Sequence, residues 1–181
     1  EAGENPYYTV FQSESSVLAP GVTQEIKYAQ SADGKQMVFF IATADITRDD
    51  VNLYANYHNN QPVIGAWKMA RVLDQAQAAQ NRWGDPESPD YIENYQVVVS
   101  TNAGGYDMSD GEPSGILIMR GVEYHPIDKN GFVGILDDGT AVIGTRDEWD
   151  TYKDRVQEAV AGFGTMLVKD GKVNITATSD Y

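Results

Sequence analysis

Asp-Gly forms a short connection between neighbouring strand-like runs at Asp33-Gly34, Asp138-Gly139 and Asp170-Gly171. Both residue types tolerate the positive φ of a tight hairpin turn. A chain that reverses so sharply lays its strands antiparallel, because a parallel neighbour needs a crossover of a dozen residues or more. The flanking runs agree. Residues 7–12 (YYTVFQ), 24–30 (QEIKYAQ) and 36–45 (QMVFFIATAD) read as strands, and in 51–57 (VNLYANY) apolar Val51, Leu53 and Ala55 alternate with polar neighbours.

Two stretches break the strand pattern. Pro62 opens a run rich in alanine and glutamine, in which Trp67, Ala70 and Leu73 recur at helical spacing; this predicts a helix over 63–82 with that stripe packed on the sheet. Gly84-Asp85-Pro86 ends it. A second helix is expected over 147–161, with Thr145 and Glu148 at capping-box spacing and Gly162 as C-cap. The fold class is therefore α+β: a largely antiparallel mixed sheet with two helices packed on it. At 181 residues the chain suits a single domain.

Between the strand-like runs 95–99 and 115–119 lies STNAGGYDMSDGEPSG, residues 100–115. Gly104 and Gly105 let the main chain turn sharply and let a ligand approach it closely. Asn102 offers donors and an acceptor, while Asp107, Asp110 and Glu112 offer acceptor oxygens. Loops held by rigid strands are where sites concentrate; the competing reading is a solvated connection whose glycines serve turns alone. The spacing is not that of a calcium-binding EF-hand loop, and nothing in it calls for a metal or other cofactor.

Charge narrows the partners. Thirteen basic against 27 acidic residues give a net charge of −14, a surface that repels nucleic acid and anionic membrane. A phosphate-bearing ligand needs positive charge supplied locally. No apolar run approaches the ~20 residues of a membrane span. The absence of cysteine excludes disulfides, thiolate metal sites and cysteine catalysis. Acidity, lack of cysteine and a start at Glu1 without methionine fit a processed, exported chain placed outside the cell or on its surface.

Other candidates read as structural. His58 and His125 are far apart in sequence, and each reads as a surface loop residue rather than half of a catalytic pair. Trp67 and Trp149 read as packing, while Trp83, beside Gly84, is the best sugar platform. Gly162-Phe163-Gly164 lacks the third glycine of a dinucleotide fingerprint.

The pieces VVVSTNAGGYD and GEPSGILIMRG together resemble the core signature of the phosphodiester glycosidases, the family of the enzyme that removes N-acetylglucosamine to uncover mannose 6-phosphate. In order along the chain, SSVLAPGVTQEIKY resembles the family's opening, GAWKMARVLDQAQAA its first helix, GFVGILDDGTAVIG its central hairpin and EAVAGFGTMLVKDGKV its helix-to-strand segment. The likeness runs over roughly residues 15–176. It implies hydrolysis of a sugar-1-phosphodiester at the anomeric carbon, on a glycan or sugar-phosphate ligand. Carried onto this chain, it implies Asn102 and Asp107 as catalytic residues, with Gly104, Gly105, Tyr106, Glu112 and Ser114 binding substrate. The family continues into an Arg-x-Ala-Ile-Gly-like strand and an Asp-Gly-Gly-x-Ser segment, and this sequence stops before both. The expectation is a domain incomplete at its C-terminus, with its sheet completed by a following segment, a second chain or self-association. The competing function is a non-catalytic extracellular module on the same fold, binding glycan or serving a structural role.

Overall fold

The structure is a computed structural model that describes residues 7–57, 72–107, 109, 111–162, 166–169 and 171–174. The chain divides into two compact units, Glu1–Val51 and Asn52–Tyr181.

The first unit is a meander of three antiparallel strands, β1 (Tyr8–Ala19), β2 (Val22–Ser31) and β3 (Gln36–Ala44). The Asp33-Gly34 turn joins β2 to β3, as the sequence predicts. β1 continues seven residues past the predicted 7–12, shifts register between Val10 and Gln12 and again between Val17 and Ala19, then reverses at Pro20-Gly21. Beyond β3, residues 51–57 adopt no ladder, contrary to the expected strand. Val51 and Ala55 are buried, but Leu53 is exposed, so the alternation does not define one buried face.

The second unit is built on a five-stranded antiparallel sheet. In chain order come α1 (Val72–Trp83), β4 (Gly105–Tyr106), β5 (Pro113–Ser114), β6 (Leu117–Met119), β7 (Val122–His125), β8 (Phe132–Leu136), β9 (Ala141–Gly144), α2 (Trp149–Tyr152), β10 (Val156–Ala161), β11 (Val168–Lys169) and β12 (Lys172–Val173). The sheet order is β7-β6-β10-β8-β9; β4 pairs with β5, and β11 with β12, as separate hairpins. One core cluster joins Ile116, Ile118, Phe132, Leu136, Val156 and Ala159 to Trp149 of α2, with the Trp149 ring edge-on to Phe132 at 5.0 Å. A second cluster joins Leu117, Met119 and Ala55. The alternation along β6 thus sends successive side chains to opposite faces.

The expected helix over 147–161 is the largest correction. The Thr145–Glu148 cap is present: the Thr145 N–H and hydroxyl both donate to the Glu148 carboxylate, at 2.9 and 3.0 Å. Helix nevertheless ends at Tyr152, and residues 156–161 form the central strand β10, paired with β6 on one side and β8 on the other. A helix there would bury one stripe, whereas this segment is buried on both faces. Ala159 and Ala161 are small enough for close approach, and Val156 and Val160 are β-branched. Gly162 accordingly caps no helix; its N–H donates to the Gly131 carbonyl at 2.8 Å.

α1 occupies the second part of the predicted 63–82 helix, whose first part, with Trp67 and Ala70, lies outside the described residues. The packed stripe is not the expected one. Ala79 and Trp83 are buried, while Leu73 is 70% exposed. At 3.6 residues per turn, Leu73 lies about 120° around the helix from Ala79.

Candidate functional site

Residues 95–104 were expected to begin as a strand. Here they form no ladder. Two of their backbone groups are met instead by one side chain of α1: the Gln80 carboxamide donates to the Tyr95 carbonyl at 3.2 Å and accepts the Val97 N–H at 2.9 Å. A glutamine thus does locally what a neighbouring strand would do.

The segment ends in a small hairpin that holds most of the predicted site. Gly105 pairs with Ser114 and Tyr106 with Pro113. The Asp107 N–H donates to the Glu112 carbonyl, and the Gly111 N–H donates back to the Asp107 carbonyl, both at 2.8 Å. The Asp107 carboxylate accepts the Ser109 N–H at 2.7 Å and its hydroxyl at 2.6 Å. The Ser109 hydroxyl above all, and then its N–H, hold this exposed carboxyl below the usual aspartate range. Asp107 is thereby suited to accept hydrogen bonds as an anion rather than to deliver a proton. Asn102 precedes the hairpin and is exposed, as are Tyr106 and Ser114. Asp110 lies outside the described residues.

Two glycines seat this hairpin against the end of β10. A Cβ on Gly104 would meet Ala161 backbone at 3.4 Å. One on Gly115 would come within 2.8 Å of the Ala161 methyl and 3.1 Å of an Asp128 carboxylate oxygen. Gly115 also sits at φ +97°, where L side chains are strained. Gly104 was expected to serve a sharp turn and close ligand approach; packing on Ala161 is a further demand on it.

His125 was read as a surface loop residue. It is instead the last residue of β7, opposite Leu117, with its side chain about one-fifth exposed. Its Nδ1 lies 3.0 Å from the Pro126 carbonyl oxygen, and its Nε2 faces the Glu112 carboxylate at 3.9 Å. That contact joins the hairpin to the sheet edge and becomes an ion pair when the imidazole is protonated. Asp128 is turned inward on the same side, its two oxygens accepting the Asn130 N–H and carboxamide. The Glu112–His125 contact is not legible in sequence, because only tertiary packing brings residue 112 to residue 125.

Trp83 does not serve as an open sugar platform. It is 6% exposed, and its ring face is covered by the Arg120 guanidinium at 3.8 Å. Arg120 and its buried neighbour Glu158 are the residues the sequence reading missed. Arg120 hides as an ordinary turn residue, and Glu158 as one acid on an expected helix.

Among the described residues, no three His, Asp or Glu side chains gather as metal ligands, and no helix is long and apolar enough to cross a membrane.

No curated protein matches this sequence. The family model of phosphodiester glycosidases matches residues 95–181, which spans the hairpin, β6 to β12 and the Gln80-bridged segment from Tyr95 onward; the match does not extend to residues 15–94, where a likeness was also expected. Over residues 95–181 the chain is similar to the phosphodiester glycosidases.

Proposed function

We propose that this chain is an exported hydrolase domain that cleaves sugar-1-phosphodiester linkages of surface glycans, using the 100–115 segment. The observation that carries the reading is the family match, which takes in the whole hairpin. A phosphate monoester is a good leaving group, so the reaction asks less for a general acid than for ordered acceptors and donors about the anomeric centre. Asp107, held ionised by Ser109, supplies an acceptor for a water or a sugar hydroxyl. Asn102 and the N–H groups around Gly104 and Gly105 supply donors. Glu112 of the same hairpin faces the His125 imidazole at 3.9 Å, adding a carboxylate and an imidazole to the groups available for proton transfer. An acidic surface of net charge −14 and a chain free of cysteine accord with work outside the cell.

The test is direct release of free sugar from a sugar-1-phosphodiester by the purified protein and by Asn102→Ala and Asp107→Ala. Loss of release in both variants, with melting transitions close to the parent's, supports the reading. Parental rates in both variants overturn it.

A further inference from the structure

The turn between β6 and β7 carries an arginine where the backbone disfavours one. Arg120 has φ +52° and Gly121 φ +73°, the paired positive values of a tight hairpin turn whose first position favours Asn, Asp or Gly. Strain of this kind persists when the surroundings over-determine it, and here they do. The Arg120 N–H donates to Glu158 Oε1 at 3.0 Å, and its Nη1 donates to the Ala55 carbonyl at 3.2 Å. The guanidinium lies 3.8 Å from the centre of the Trp83 ring and 4.7 Å from that of Tyr54. Tyr95 stacks on Tyr54 and tilts against Trp83, completing an aromatic wall.

One edge of the guanidinium is left over. Nε and Nη2 are both shielded from solvent and neither has a hydrogen-bond partner. The nearby carboxylate does not serve them: Glu158 spends its oxygens on the main-chain N–H groups of Arg120 and Ala55. Buried donors of native proteins are nearly always satisfied, and one that is not marks a water, an ion or a function. The Nε–Nη2 edge is no arbitrary pair of donors. Its two N–H groups point in parallel, the fork that fits two oxygens borne on one atom.

We propose that the Nε–Nη2 edge of Arg120 is a receptor for an oxyanion, a carboxylate or phosphate group gripped by two parallel hydrogen bonds inside the Trp83–Tyr54–Tyr95 wall. The site lies at the end of β6 remote from Gly115 and the hairpin. It supplies positive charge locally on a chain of net charge −14. Tyr54, at 39% exposure against 6% for Trp83, is the more exposed side of that wall.

The experiment is a titration of the 15N-labelled 181-residue chain with inorganic phosphate and, separately, with acetate, at ionic strength held constant with chloride. The readout is the Nε–H resonance of Arg120, assigned through its own side-chain bonds. The Nε–H groups of Arg48, Arg82 and Arg155 already donate to Asp50, Asp90 and Asp137 and act as internal controls. The expected result is a saturable shift of the Arg120 signal alone. Response to phosphate only or to acetate only identifies the group that is recognised, and response to both establishes the shared chemistry. In a parallel arm, phosphate raises the melting temperature of the parent but not of Arg120→Lys, whose ammonium presents no fork. Should that variant fail to fold, the resonance arm decides. An Arg120 signal unmoved by either anion means that water fills the edge, and the proposal falls. Neither arm reads sugar release, so this outcome is separate from that of the hydrolase reading.

Discussion

Glu158 Oε1 accepts the Arg120 main-chain N–H at 3.0 Å, across 38 residues of sequence, while its other oxygen accepts the Ala55 N–H at the same distance. One buried carboxylate in the central strand therefore fixes both a strained turn and the extended segment around Ala55. Glu158→Gln keeps an acceptor for one of these N–H groups and presents an amide N–H₂ to the other. The expected cost is about 1–3 kcal/mol for the donor left unmet. The pH dependence has a defined sign. Burial, the dominant cause, raises the Glu158 pKa above its ordinary 4.5. A raised carboxyl favours folding while protonated, so its contribution is full below 4.5 and is lost as pH climbs towards the folded-state value. Urea melts across that range should show the parent losing stability relative to Glu158→Gln as pH rises; a difference independent of pH would refute the assignment.

The buried stripe of α1 separates two substitutions on one helix. Trp83→Ala removes a ring that covers Arg120 and meets Tyr95 at 5.7 Å, and should cost about 3–5 kcal/mol. Leu73→Asp, at an exposed position, should stay within about 0.5 kcal/mol of the parent. Equilibrium unfolding of the two variants side by side checks the rotation of the helix, and equal losses would show that Leu73 is packed.

Gly115→Ala combines a left-handed backbone with a methyl placed 2.8 Å from the Ala161 side chain. It should destabilise the protein by more than about 1 kcal/mol. It should also shift the amide resonances of Gly104 and Ala161, because the hairpin must lift from β10 to admit the new atom. Unchanged resonances would mean that the close approach is not maintained in solution.

At the opposite end of β10, the β8–β9 turn holds Asp138 at a pKa of about 2, through the Thr140 hydroxyl first, then the Thr140 N–H and Arg155. Here the sign is reversed. A depressed carboxyl contributes stability in full above its unfolded value of 3.8 and loses it as pH falls towards 2. Carboxyl carbon shifts followed by NMR should place the Asp138 midpoint well below those of exposed aspartates, and Thr140→Val should move it upward. A midpoint near 3.8 in the parent would show that the turn contacts are not populated.

Local chemistry is what the sequence by itself determined. The turns at Asp33-Gly34 and Asp138-Gly139, the Thr145–Glu148 cap, the antiparallel character of the sheets and the helix ending near Trp83 each depend on residues within a turn or two of one another. A single sequence displays such relationships directly. The tertiary structure decided the rest. Residues 156–161 have alanines and a nearby helix cap, yet pairings of Ala159 with Gly134 and with Ile118 make them a central strand. Ladder bonds and burial on both faces outweigh helix propensities of well under 1 kcal/mol per residue. Residues 95–99 look like a strand, yet the Tyr95 carbonyl and the Val97 N–H bond the Gln80 side chain, because backbone groups need a partner of the right geometry and not a strand in particular. The Glu112–His125 contact and the Arg120–Trp83 stack likewise join positions whose nearness is set by register and helix rotation. Those quantities depend on the packing of the whole unit and are not written at either position.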